Sequence, residues 1–188
     1  MATDEQRKDC WDKAIYAFGT AYVFEKRLKS ARKKLRILTF FGIAVPVAVG
    51  GIVVSFFGIE FLKPYLAWLI VLAGILGTAQ LIFTIWALIA KWDDEAVYSA
   101  SSASENRRLA ARFEELGKNP PPDFDVQYQI LKTDNARRED SDIQREITDT
   151  EKVMITRAGL RQYQRPCVKC GIVPGDMKPT NCPICGKF

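Results

Sequence analysis

The sequence predicts an all-α membrane protein: a two-span transmembrane hairpin, long amphipathic cytoplasmic helices and a small cysteine-rich ribbon at the C-terminus. Three observations predict it. Residues 37–90 are almost wholly apolar, in a chain of 188 residues that elsewhere carries most of its 27 basic and 22 acidic side chains. The flanks repeat apolar residues at helical spacing. Two CxxC pairs close the chain at CVKCGIVPGDMKPTNCPIC, residues 167–185.

The N-terminal segment, residues 1–36, reads as an amphipathic helix. Trp11, Ile15, Phe18 and Tyr22 recur at steps of four, three and four, which puts them on one helical face. That face suits a partner helix better than the membrane interface. The first 36 residues contain no apolar run followed by a small-residue cleavage site, so the stretch from Ile37 is read as a retained anchor. Seven basic residues precede it: Lys26, Arg27, Lys29, Arg32, Lys33, Lys34 and Arg36. They read as a lipid-facing cluster and topology signal. Nucleic acid is the weaker reading, because no aromatic side chains interleave with these charges to stack bases.

ILTFFGIAVPVAVGGIVVSFFGI (37–59) and YLAWLIVLAGILGTAQLIFTIWALIA (65–90) contain no charged residue. As helices they would be about 35 and 39 Å long, enough for a hydrocarbon core of about 30 Å with some tilt. Glu60 to Pro64 leave room only for a tight turn between them. Lys63 is the one basic residue in that connection, so the positive-inside rule sets both termini in the cytoplasm. Tyr65, Trp68, Trp86 and Trp92 lie near the span ends, where amphipathic rings favour the interface. Pro46 removes a backbone hydrogen bond and is the candidate kink. Ala73, Gly77, Gln80 and Thr84 share one face of the second span. Two readings of that face stay open: helix packing, or a polar path in an oligomer. No ionisable residue lies in either span, which argues against a proton-coupled pump.

Residues 91–160 continue as cytoplasmic helix with a break near 117–122, where Gly117 and Pro120–Pro122 stop one helix and Asp123 starts the next. SASSAS (99–104) reads as a soft point or a close-packing surface. A long helical pattern then runs from about 123 to 158. Phe124, Tyr128 and Leu131 form one apolar group, and Ile143, Ile147, Met154 and Ala158 another. RREDSD (137–142) between them reads as a solvated patch, with Asp134 and Arg138 as an i,i+4 pair.

Residues 161–188 read as a zinc ribbon. Cys167, Cys170, Cys182 and Cys185 supply four thiolates, and two cysteines three apart bite one metal from a tight turn. Gly171 and Gly186 follow the second cysteine of each pair, where a left-handed backbone suits glycine. Four thiolates leave no position for water, so Zn2+ here is structural; iron remains the competing metal. A tail this short needs the metal's binding free energy to fold. Cys10 stands apart and reads as a buried small residue.

The chain has no histidine. It also lacks a G-x-S-x-G nucleophile elbow and a phosphate-binding G-x-x-x-x-G-K loop, so it does not read as an enzyme.

The order of these parts resembles the SLATT family of bacterial two-helix membrane proteins. CVKCG…CPICG with its eleven-residue spacer resembles the mobile-element-associated subgroup that carries CxxC-x11-CxxC. The resemblance implies a membrane effector of a bacterial anti-phage or conflict system in the inner membrane. It further implies homo-oligomers that disrupt or permeabilise the membrane, triggered by a nucleotide-signal synthase or sensor protein. The alternative class is a passive membrane scaffold that recruits a soluble partner through the ribbon.

Overall fold

A computed structural model describes residues 2–56 and 63–188. Among the described residues five helices follow in chain order: α1 Asp4–Phe56, α2 Lys63–Ile89, α3 Trp92–Lys118, α4 Phe124–Ile143 and α5 Asp149–Gln162. No strand occurs among the described residues. The chain divides into two units: Met1–Arg27 with Tyr98–Phe188, and Leu28–Val97.

In the second unit two helices are long and apolar enough to cross a membrane. Most of their large side chains are exposed, including Phe40, Val47, Trp68, Ile75 and Leu88. The less exposed positions form two rows. Ala31, Leu35, Leu38, Gly42, Val45 and Val49 make one on α1, and Ala73, Gly77, Gln80, Thr84 and Ala87 make the other on α2. Alternating steps of three and four are the spacing of a left-handed helix pair. Gly42 stands opposite Gln80: a Cβ added there would lie 3.7 Å from the Gln80 Nε2. Small residues at this level let the two backbones approach. The α1 helix continues unbroken through Pro46, which sits on the exposed side. The first-span end at 57–59 and the turn residues 60–62 lie outside the described residues.

The first unit packs parts of α1 and α3 with α4 and α5. Its larger core joins Cys10, Ala14 and Ala17 of α1 to Leu109, Phe113 and Leu116 of α3 and to Phe124, Tyr128 and Leu131 of α4. A smaller core joins Val23 to Met154 and Ile155, with Tyr22, Ile147 and Phe188 against it. The predicted stripe Trp11, Ile15, Phe18 and Tyr22 is half-buried. The small residues beside it, Cys10, Ala14, Ala17 and Ala21, are the fully buried ones. The reason is close helix approach. A Cβ on Gly19 would overlap the Ile155 carbonyl of α5, and a Cβ on Gly159 would overlap the Ile15 carbonyl of α1. These reciprocal contacts fix an antiparallel α1–α5 crossing at two glycines.

The structure corrects three readings of residues 123–158. The pattern is two helices: α4 ends at Ile143, Glu146 takes a φ of 48°, and α5 restarts at a capping box. There the Thr148 hydroxyl accepts from the Glu151 amide, and the Glu151 carboxylate accepts from the Thr148 amide. That reciprocal pairing satisfies two orphan groups of the first turn. Second, 137–142 is not wholly solvated, because Arg138 and Asp142 are buried. The Arg138 guanidinium donates to Asp142 at 2.5 Å and to Glu105 at 3.1 Å, so its partner is not Asp134. Asp134 instead pairs with Arg112. Tyr98, Ser102 and Asn106 also donate to the Asp142 carboxylate. Ser99 and Ser102 are buried too, so the small-residue run of α3 is a packing surface around this network. Burial and the Asp142 bond push the Tyr98 hydroxyl up to about 12. Third, Ile143 is 68% exposed and leaves the apolar group expected for it.

Candidate metal centre

After α5 the chain builds two knuckles. In the first, the Gly171 amide donates to the Cys167 carbonyl at 2.8 Å, and the Cys167 amide donates to the Ile172 carbonyl at 3.1 Å. In the second, the amides of Gly186 and Lys187 both donate to the Cys182 carbonyl at 2.9 Å. Gly171 takes the left-handed φ expected of it, at 69°. Gly186 has a different role. It is not among the residues with positive φ, but a Cβ there would overlap the Thr180 hydroxyl. The second knuckle is closed across its base by that contact and by the Thr180 amide, which donates to the Gly186 carbonyl.

This folding brings all four predicted sulfurs together. The Sγ atoms of Cys167, Cys170, Cys182 and Cys185 lie within 4.8 Å of one another. Across the knuckles, Cys167 and Cys182 are 3.9 Å apart and Cys170 and Cys185 are 3.7 Å apart. A tetrahedral metal with bonds of about 2.3 Å to sulfur requires sulfurs about 3.8 Å from one another. The donor set therefore fits one metal ion in a closed four-sulfur site. No cysteine is in a disulfide. Cys10 is fully buried in the α1–α3–α4 core and is not part of the group. Burial, then Asp9, pushes its thiol up to about 11.

Backbone amides prepare the thiolates. Those of Cys185 and Ile184 hold Cys182 down to about 7. Burial opposes ionisation of Cys167, but the amides of Cys170 and Lys169 outweigh it and lower its pKa. Cys185 is shifted the other way, by burial and by the thiols around it. A metal's positive charge removes that conflict, because it neutralises thiolates that would otherwise repel one another.

The seat of the ribbon was missed in the sequence. Arg157 of α5 is 5% exposed. Its Nε donates to the Asp176 carbonyl at 2.7 Å, and one terminal nitrogen donates to the carbonyl of Cys185, itself a sulfur donor, at 2.9 Å. The other terminal nitrogen reaches the Asp176 carboxylate at 3.2 Å. The Lys178 amide, then burial working the other way and Arg157, set the balance that leaves Asp176 below the usual carboxylate range. At the far edge Phe188 packs beside Val23, Met154 and Ile155.

The model of the mobilome CxxCx(11)CxxC proteins matches residues 7–188. The chain belongs to this family. The match spans the helices of this chain as well as its four clustered cysteines. No curated protein and no solved structure matches this mobilome chain.

The remaining predicted site residues are distributed as follows. Arg27 departs from the lipid-facing cluster. Its fork meets the Glu151 carboxylate at 2.6 Å and the carbonyls of Arg145 and Glu146. Lys26 lies 3.4 Å from the Met154 sulfur, and Lys34 stands over the Trp92 ring. Lys29, Arg32, Lys33 and Arg36 are exposed. Ala73, Gly77, Gln80 and Thr84 lie together in the half-buried row of α2, with the Thr84 hydroxyl donating to the Gln80 carbonyl.

Proposed function

We propose that this mobilome protein is a non-catalytic membrane effector of a bacterial conflict system, acting at the inner membrane with both termini cytoplasmic. Its hairpins assemble as homo-oligomers, and a nucleotide or partner-protein signal at the helical unit makes them permeabilise the bilayer. The observation that carries the reading is one chain joining two charge-free apolar helical stretches, 37–56 and 65–89, to a folded, charged unit closed by a four-sulfur clip. Membership of a mobile-element family supports it, since such elements carry conflict systems. Zinc is the metal of this reading: four thiolates and a closed site suit a structural ion, and the clip holds the tail in place.

The row Ala73, Gly77, Gln80 and Thr84 acts in this reading as the packing face of the hairpin. Its support is the approach of Gly42 to Gln80 and the hollow that Val45, Val49 and Ala73 line together. Pro46 cannot donate to the Gly42 carbonyl four residues earlier, and Gln80 is the polar side chain at that level. The pair gives the first span a weak point that two conformations can use.

Liposome leakage tests the function. Purified zinc-loaded protein is inserted in vesicles enclosing a dye, alone and with cyclic oligonucleotides. The expected result is leakage that rises with added signal. Leakage within twofold of wild type is expected for Gln80→Leu with Thr84→Leu; its loss would make that face a pore wall. Tight vesicles under every condition, with correct insertion and one zinc per chain, would overturn the effector reading. The scaffold reading would then stand. Val168 at a knuckle tip, 91% exposed, favours it as a docking point for a soluble partner.

A further inference from the structure

Two clefts of similar size open on the helical unit, and their linings have opposite character. One, of about 360 Å³, has Asp9, Asp12, Glu139 and Asp142 in its walls and Lys13 as its only cation. The other, of about 370 Å³, lies where α1, the end of α5 and the ribbon meet. No carboxylate lines it. Phe18 and Tyr22 supply two rings from successive turns of α1, and Met177 of the ribbon supplies a thioether. Arg161, Gln162 and Gln164 supply the polar groups. Both volumes fall in the range of small-molecule sites, about 300–1,000 Å³.

The polar side chains of the second cleft, Arg161, Gln162 and Gln164, are exposed and face solvent. Elsewhere in this unit Arg27, Arg107, Arg112, Arg138 and Arg157 each hold a carboxylate. The Arg161 side chain forms no hydrogen bond or ion pair with a described residue, and neither does that of Gln162. Gln164 donates its amide to the Arg161 carbonyl at 2.6 Å and leaves its own carbonyl oxygen to accept. Gln164 also takes a φ of 50°, at the C-terminal end of α5, where the Arg165 amide returns to the Leu160 carbonyl. Glycine is the favoured residue at such a helix end.

We propose that this cleft binds a small anion carrying a flat heteroaromatic ring, of the nucleoside monophosphate class. The Tyr22 ring and the thioether take the flat face, beside Phe18, over one face of which the Arg107 guanidinium already stands. The carboxamides, each donor and acceptor, take the ring edge, and the guanidinium takes the anionic group. The ribbon wall, Gly175 and Met177, stands in place only when the clip is folded, so metal and ligand binding are coupled. The proposal deepens the effector reading by naming a ligand class for its signal. It rests on that reading for its consequence alone, because binding and leakage are measured separately.

The test is calorimetric titration of the full-length, metal-loaded protein in detergent with AMP, GMP, CMP and UMP. Adenosine, inorganic phosphate and a ten-residue single-stranded oligonucleotide serve as controls. At least one monophosphate is expected to bind once per chain. Arg161→Ala, an exposed change, is expected to weaken it at least about tenfold, the size of one lost charge-assisted hydrogen bond. Adenosine, which lacks the anionic group, and phosphate, which lacks the ring, are each expected to bind at least about tenfold more weakly. Phe18→Leu, checked by circular dichroism for retained helix, is expected to weaken binding, and removing the metal to abolish it. No saturable binding of any monophosphate would overturn the proposal, as would equal binding by folded Arg161→Ala. An oligonucleotide binding more than about tenfold tighter per site would overturn it in favour of nucleic-acid recognition.

Discussion

Arg157→Met removes the link between α5 and the metal clip while keeping most of the buried volume. The carbonyls of Asp176 and Cys185 lose their charge-assisted donor. Each such loss costs about 1–1.5 kcal/mol once the desolvation of the arginine is offset. The Asp176 ion pair is screened by solvent, because that carboxylate is half exposed, and is left out of the sum. The total is about 2–3 kcal/mol. At roughly 3–5 °C per kcal/mol for a unit of one to two hundred residues, the melting midpoint falls by roughly 6–15 °C. Where the metal-free ribbon is unfolded, docking energy is part of the metal-binding energy. Zinc affinity then falls about 30–150-fold, at about 1.4 kcal/mol per tenfold. The assays are thermal melts by circular dichroism and zinc competition against a chromophoric chelator, with Lys178→Ala as an exposed control. A midpoint within 1 °C of wild type together with unchanged competition would refute the reasoning, since Arg157 would then carry no coupling.

Gly159→Ala should push α5 away from α1 at the Ile15 carbonyl and cost several kcal/mol, read as a lower denaturant midpoint, whereas Gly175→Ala, in open space, should change little. Asp142→Leu should destabilise the unit by about 3 kcal/mol by removing the buried partner of Arg138 and leaving it only the exposed Glu105, and adding Arg138→Met should recover most of it in a double-mutant cycle. Glu151 gives an acid limb. Burial alone would raise its carboxyl, but the Arg27 fork and Thr148 lower it below the ordinary 4.5. The unfolded chain therefore takes up the proton first as pH falls. The contribution is complete above the ordinary value and is lost as pH drops through the lowered one. Arg27→Met should flatten that limb in pH-dependent urea titrations.

The metal site was legible because cysteine spacing is local: Cys-x-x-Cys fixes a bite whatever surrounds it, and Gly171 marked its turn. The apolar spans were legible from composition alone. The break between α4 and α5 had a local signal as well, since Thr148-Asp149-Thr150-Glu151 is a capping-box pattern. The continuous run of helix formers around it hid the stop. Arg138, Asp142 and Arg157 had no such signal. A buried arginine reads as an exposed one until its acceptors are known, and those acceptors come from residues 33 to 40 positions away for Glu105 and Tyr98, and 19 to 28 positions away for Asp176 and Cys185. Gly19 and Gly159 were silent for the same reason, because a glycine inside a helix declares close packing only when the opposing backbone is known.

The small residues and the buried charges of the helical unit answer to one geometric requirement. Gly19 and Gly159 bring α1 and α5 too close for side chains to interlock, so sliding is resisted by few apolar knobs along that crossing. Polar contacts with fixed direction supply the missing register. Arg27 clamps Glu151 at one end of the crossing, and Tyr163 packs edge-on against Trp11 and Phe18 at the other. Between them Arg157 ties α5 to the backbone of the clip. A shift of α5 by one residue would break the glycine contacts, the Glu151 clamp and the Cys185 bond together. The clip, α5 and α1 therefore share one set of contacts, and a substitution that moves α5 disturbs both the Arg157 bonds to the clip and the glycine contacts to α1.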